Sequence, residues 1–242
     1  MQTTIDNYLI NYKVFGDKNK KDILILHGWG QSAKDWEKVA IRLGQKYRIF
    51  VPDLLGFGSF KKGEINYSFE DYLSFVSSLI KKFKLKNYIL IGHSFGGKIA
   101  IAHTSKNNSA VSKLILISPS GIEERGIFTR LKIILIKMFK FLPWTNVFKG
   151  VAYLYSYDYK TAGKLLPTFK RVAPIKVDKE AKKISSDTLI IWPERDEQVN
   201  LKWSKKLKRL IPGSELRVLW KANHSPHITD PDRLLRIINE YL

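Results

Sequence analysis

Short apolar runs that alternate with segments of helical periodicity constrain this chain more than any other feature. Residues 23–26 read Ile-Leu-Ile-Leu, and comparable runs recur at 47–51, 88–91, 114–117, 188–192 and 216–219. A continuous apolar run of this length suits a strand buried on both faces of a parallel sheet. Between most of the runs lie helix-like segments, at 35–43, 68–84, 96–105, 200–210 and 231–241. Strand alternating with helix requires crossover connections, so the expected class is α/β, a mostly parallel sheet with helices on both faces. Residues 8–15 read as one more strand, joined to the residues before it by a hairpin through Asp6-Asn7.

One interval departs from this rhythm. Residues 121–186 contain no strand run followed by a crossover helix, and are mostly helix-like, aromatic and basic. A structureless loop of that length is improbable in a compact domain. The interval is therefore expected to be a helical insertion, a cap or lid over one end of the sheet. It divides a core of residues 1–120 and 187–242.

Composition removes several classes of chemistry. With 242 residues and 44% hydrophobic content, the chain has ample material for a buried core. It has no cysteine, which excludes a disulfide framework, a thiol nucleophile and a cysteine zinc site. No secretory leader and no run of about 18 uncharged apolar residues is visible, so a cytoplasmic location is expected. The net charge is +20, with 42 Lys and Arg against 22 Asp and Glu. Such a field favours anionic partners. The lysines are nevertheless spread over the whole chain and follow no nucleic-acid motif, so no nucleic acid is expected as a partner.

The residues that carry chemistry fall at strand ends. Gly92-His93-Ser94-Phe95-Gly96-Gly97 follows the run at 88–91 and precedes a helix. This is the G-x-S-x-G pattern in its required context, a sharp strand-to-helix turn that exposes a serine hydroxyl. Ser94 is the candidate nucleophile. It requires a base, and the base requires an orienting acid, both later in the chain. The acid is expected in Pro193-Glu194-Arg195-Asp196-Glu197, after the strand at 188–192. Asp196 is favoured there over Glu194 and Glu197, and Asp187 lies at the wrong end of that strand. The base is expected after the strand at 215–219, where His224, the first residue of its type after the strand, is favoured over His227 three residues later. His93 is expected to pack beside the nucleophile, and His103 to be structural.

Acyl transfer generates an oxyanion that needs two preorganised donors. One is expected to be the backbone N–H of Phe95. The other is the backbone N–H of Trp29, in His27-Gly28-Trp29-Gly30 after the first parallel strand. Gly28 and Gly30 permit close approach of that backbone, and Gly92 and Gly96 make room at the serine turn. His27 is expected to tie its loop by hydrogen bonds.

These motifs, with Pro52-Asp53-Leu54-Leu55-Gly56-Phe57-Gly58 and His224-Ser225-Pro226-His227 leading into Asp230-Pro231, resemble the α/β-hydrolase superfamily over nearly the whole chain. The resemblance implies the α/β-hydrolase fold, with an eight-stranded sheet and a cap inserted after the sixth strand. It also implies a Ser–His–Asp triad that uses no metal or organic cofactor. Within the superfamily the chain is similar to carboxylesterases, to pimeloyl-[acyl-carrier-protein] methyl ester esterases and to C–C bond hydrolases. Haloalkane dehalogenases and epoxide hydrolases carry aspartate at the elbow, and Ser94 argues against both. Three departures affect loop shape: Asn223 before the histidine, Pro193 after the strand-end tryptophan, and Ser59-Phe60 directly after Gly58.

The expected activity is hydrolysis of a small-molecule carboxylic ester of short to medium acyl chain. The cap supplies an apolar helical face at Leu131, Ile134, Leu135 and Met138 to line an acyl pocket. Its basic residues, among them Arg130, Lys132, Lys137, Lys164, Lys170 and Arg171, are solvated, or meet an acidic carrier protein or an anionic membrane surface. Alternatives of the same fold are a lactonase, a C–C bond hydrolase and a carrier-protein methyl ester esterase. A non-catalytic ligand receptor on the hydrolase fold is an alternative of another class.

Overall fold

Strands β1 (Gln2–Ile5) and β2 (Tyr8–Phe15) form the expected antiparallel hairpin, with Ile5 opposite Tyr8. The chain turns at Asp6 with φ of 45°, a left-handed conformation that a short polar side chain tolerates. The computed structural model describes residues 1–6, 8–18, 20–58, 66–123 and 162–242.

The remaining strands are β3 (Asp22–Leu26), β4 (Arg48–Pro52), β5 (Tyr88–His93), β6 (Val111–Ile117), β7 (Asp187–Pro193) and β8 (Glu215–Leu219). They complete an eight-stranded sheet in the order β1-β2-β4-β3-β5-β6-β7-β8. β2 joins β4 antiparallel, and every pairing from β4 through β8 is parallel. All five residues of β3 and all six of β5 are buried, as a strand covered on both faces requires.

Alternation along these strands divides the core into two layers. Leu24, Leu26, Leu90, Leu114, Leu116, Ile190 and Trp192 face one side, with α2 (Phe69–Phe83), α3 (Ser94–Thr104) and α6 (Lys202–Leu210). Ile23, Ile25, Ile89, Ile91, Ile115, Ile117 and Ile191 face the other, with α1 (Glu37–Leu43) and α8 (Pro231–Tyr241). Helix boundaries follow local chemistry. α2 opens on a capping box in which Ser68 accepts from the N–H of Asp71 and Asp71 accepts from the N–H of Ser68.

Two short helices, α4 (Leu166–Val172) and α5 (Asp178–Ala181), follow the sixth strand, and α7 (Pro226–Thr229) precedes α8. α4 and α5 lie in the interval where the sequence calls for an insertion. Residues 124–161 of that interval are outside the described residues, and with them the apolar face and Arg130, Lys132 and Lys137 expected of a cap. The described end is bolted to the core: buried Lys98 of α3 donates to the carbonyl of Val172 at 3.0 Å. Burial lowers this lysine to about 8. Among the described residues no helix is long and apolar enough to cross a membrane.

The order β4-β3-β5 reverses direction at β3, since the chain crosses to β4 on one side and later to β5 on the other. Open α/β sheets bind ligands outside the carboxyl ends of the strands at such a reversal. The loops after β3 and β5 carry the His27–Gly30 motif and Ser94.

Candidate active site

Ser94 is the first residue of α3 and has φ of 48°, a strained value for a non-glycine residue. The strain is sustained by close packing on both sides of the turn. A Cβ on Gly92 would lie 2.7 Å from the carbonyl oxygen of Gly96 and 2.8 Å from Cβ of Ala100. A Cβ on Gly96 would collide with the carbonyl oxygens of Leu26 and His27. Helix α3 can therefore pack on β5 only if Gly92 lacks a side chain, and on the end of β3 only if Gly96 does. His93, the N-cap, makes no side-chain cap, and the first-turn N–H groups of α3, that of Phe95 included, have no intrahelical acceptor.

After β7 the chain turns through Glu194–Gln198, and after β8 through Trp220–Ser225. These turns bring Asp196 and His224 together: Nδ1 of His224 lies 2.8 Å from Oδ2 of Asp196. Oδ1 of Asp196 accepts the N–H groups of Gln198 at 2.9 Å and Val199 at 2.7 Å. The Asp196 side chain is fully buried. Of the other acidic candidates, Glu194 accepts from the N–H of Lys221, Glu197 is exposed, and Asp187 pairs with Lys113 at the start of β7.

The loop after β3 is held by His27. Its Nδ1 donates to the carbonyl of Gly28 at 2.8 Å, and its Nε2 accepts the N–H of Leu54 at 2.9 Å. Those two bonds define a neutral tautomer, and burial keeps the ring below its ordinary pKa. Asp53 supports the same loop by accepting the N–H of Ala33 at 2.7 Å. Trp29 stands edge-on to Phe57, Phe95 and Phe169, with ring centroids 4.9, 5.5 and 5.0 Å away. A cavity of about 340 Å³ opens here, lined by Ser94, His224, Gly28, Trp29, Gly30, Gln31, Gln198 and Ile228 among others. Nucleophile candidate, base candidate and the loop that carries Trp29 thus share one space. Among the described residues no group of three or more His, Cys, Asp or Glu is arranged to hold a metal ion.

A sequence model of the alpha/beta hydrolase family matches residues 23–237. The chain belongs to that family. The lipase 1 of Psychrobacter immobilis is 25% identical over 240 residues, covering 90% of this chain and 75% of the lipase. The 2-hydroxy-6-oxo-2,4-heptadienoate hydrolase of Pseudomonas putida is 23% identical over 250 residues, covering 91% and 88%. The fold is similar to the crystal structure of a bacterial membrane phospholipase A, with a TM-score of 0.81 and 22% identity, covering 100% of this chain and 84% of that one.

The other histidines of this alpha/beta hydrolase differ in their surroundings. His103 bonds the hydroxyl of Tyr88 at 2.8 Å, a structural contact as expected. His227 is buried and stacked on Trp36, with centroids 4.3 Å apart and planes at 9°. Burial, then the neighbouring His224 and His27, push it down to about 3. Among the described residues neither of its ring nitrogens has a hydrogen-bond partner, unlike Nδ1 of His224. His93 does more than pack: its Nε2 donates to the carbonyl of His224 at 2.8 Å. Sequence reasoning passed over Gln31, Gln198 and Val199. Gln31 sits directly after the glycine motif, which was the available signal; the other two act through backbone N–H groups, and no side-chain identity announces that.

Proposed function

We propose that this alpha/beta hydrolase cleaves carboxylic esters of short to medium acyl chain, with Ser94 as nucleophile, His224 as general base and Asp196 as its orienting acid. The observation that carries the reading is the 2.8 Å contact between His224 and Asp196 beside a cavity that Ser94 and His224 both line. Proton transfer from the Ser94 hydroxyl to Nε2 of His224 accompanies attack on the ester carbonyl. The tetrahedral oxyanion is received by the backbone N–H groups of Trp29 and Phe95. His224 then protonates the departing alcohol, leaving an acyl-serine. A water deprotonated by His224 attacks that acyl group and releases the acid and the free serine. The lipase relative supports ester chemistry. The Pseudomonas putida relative supports a second reading, hydrolysis of a dienoate by the same residues.

Steady-state hydrolysis of p-nitrophenyl esters of increasing acyl length, with wild type beside Ser94→Ala, tests the reading. Loss of the nucleophile is expected to reduce turnover by roughly four to six orders of magnitude. Ester turnover that survives in the variant assigns the chemistry to another residue. If neither protein turns over esters while wild type consumes a dienoate substrate, the second reading replaces the first.

A further inference from the structure

We propose that Gln31 and His93 form a clasp that sets the position of His224 against Ser94, and that both are positioning residues for the reaction proposed above, on which this inference rests. Gln31 belongs to the loop after β3, His93 to the elbow after β5, and His224 and Ser225 to the loop after β8. The three loops are far apart in sequence, and side-chain bonds join all of them. Oε1 of Gln31 accepts the N–H of Gly28 at 2.9 Å, and its Nε2 donates to Oγ of Ser225 at 3.2 Å. Nδ1 of His93 lies 3.1 Å from the same Oε1, while Nε2 of His93 donates to the carbonyl of His224 at 2.8 Å.

The clasp touches the proposed machinery at each end. Gly28 precedes Trp29, whose N–H is one proposed oxyanion donor. His93 precedes Ser94, and the bond from its ring ends on the backbone of the proposed base. Gly28 must be glycine because of this arrangement: a Cβ there would lie 2.8 Å from Nδ1 of His93 and 3.0 Å from Oε1 of Gln31. The oxyanion loop therefore rests its backbone directly on the two clasp side chains.

The protonation of His93 follows from its partners. Both oxygens that face the ring are acceptors, and a neutral imidazole has one N–H. Burial, with His227 and His224 on either side, holds the ring well below its ordinary pKa, so it stays neutral. The carbonyl of His224 is the nearer acceptor and takes the proton. Nδ1 of His93 and Oε1 of Gln31 are then both acceptors and share no hydrogen bond, so Gln31 is secured by the N–H of Gly28 and by Ser225. His93 is enclosed by the rings of His224 and His227, 4.8 and 4.7 Å away. It has no freedom to turn, so the carbonyl of His224 has a fixed donor. Asp196 orients the His224 ring, and the clasp holds the backbone from which that ring projects. A base must sit within hydrogen-bond reach of the hydroxyl it deprotonates, and small displacements cost rate rather than substrate affinity.

The test compares Gln31→Met, His93→Met and His93→Gln in the full chain. The glutamine retains an N–H near the position of Nε2 of His93, and methionine retains volume without a donor. Both methionine variants are expected to lower kcat about tenfold with KM within about twofold, the size of one lost positioning bond, and His93→Gln to recover most of that loss. A second readout needs no turnover: the low-field proton resonance of Nδ1–H of His224 should broaden in the methionine variants and remain sharp in His93→Gln. Unchanged kcat with an unchanged resonance overturns the clasp. Equal losses in all three variants, tracking the thermal midpoint, also overturn it, because packing alone then explains them. If wild type shows no Ser94-dependent turnover, the hydrolytic reading fails by itself, and the resonance still decides the clasp.

Discussion

Nδ1 of His224 meets Oδ2 of Asp196 at 2.8 Å, while the other oxygen of the same carboxylate is occupied by the N–H groups of Gln198 and Val199. The division of labour between the two oxygens makes Asp196→Asn an informative change. The asparagine oxygen must face the two backbone donors, so its NH₂ faces Nδ1 of His224. Nδ1 then becomes an acceptor, and the ring proton moves to Nε2, where it abolishes the proposed base function. The expected result is a fall in kcat of roughly 10⁴-fold with little change in thermal midpoint. Turnover of the variant near the wild-type level at neutral pH would remove Asp196 from the orienting role.

Gly96→Ala should be far more damaging than a substitution at a glycine with open surroundings. The added methyl would enter the carbonyl oxygens of Leu26 and His27, which are backbone atoms of a buried strand end. Around Gly163, by contrast, no described residue would lie within 4 Å of an added Cβ, and its φ of 49° is what resists substitution. Overpacking of this kind costs about 1–3 kcal/mol or more, against about 1 kcal/mol for an alanine at positive φ. Thermal midpoints of the two variants measure the difference, and equal shifts would contradict the close approach of α3 to β3.

Trp29 separates backbone from side-chain function. Alanine keeps the N–H that the proposed mechanism uses and removes a ring in edge contact with Phe57, Phe95 and Phe169. Aromatic pairs of this geometry are worth about 0.5–1.5 kcal/mol each. Trp29 also lines the cavity shared by Ser94 and His224, so Trp29→Ala is expected to raise KM for apolar esters by about tenfold with a smaller effect on kcat. A selective collapse of kcat would mean that the ring positions the oxyanion loop rather than the substrate.

Acid should destabilise the fold through its buried histidines. Burial pushes His227 down to about 3, and burial followed by Lys106 pushes His103 down to about 4. Between those values and the ordinary 6.5, the unfolded chain binds protons that the folded chain does not. Stability is therefore complete above about pH 6.5 and declines as pH falls towards 4, by up to about 1.4 kcal/mol per pH unit for each group. His227→Phe keeps a ring on Trp36 and deletes one titrating group. Urea unfolding between pH 7 and pH 4 should give a shallower decline for this variant than for wild type. Parallel slopes would show that His227 is not held neutral by its burial.

Strand positions were legible from residues 23–26, 88–91 and 188–192 because a strand buried on both faces needs a continuous apolar run. The last helix was legible to the residue, 231–241, because Asp230-Pro231 marks its start and the 3.6 period runs unbroken to Tyr241. The hairpin at Asp6 and the serine elbow were legible for the same reason: few residue types adopt their backbone angles. The sequence alone thus determined the α/β class, the family motifs and the chain order of Ser94, Asp196 and His224, because each rests on local periodicity or a local steric demand. It favoured Asp196 over Glu194 and Glu197, and His224 over His227, by position after a strand, without showing which side chains meet. Within each group the residues differ by only one to three positions, and nothing local shows which side chain the turn aims at its partner. Only the tertiary structure decided that Asp196 meets His224, that His227 stacks on Trp36, and that Gln31 and His93 join three loops. These contacts depend on where the ends of β3, β5, β7 and β8 fall relative to one another. That is fixed by the order and register of the assembled sheet, which no local stretch of sequence carries.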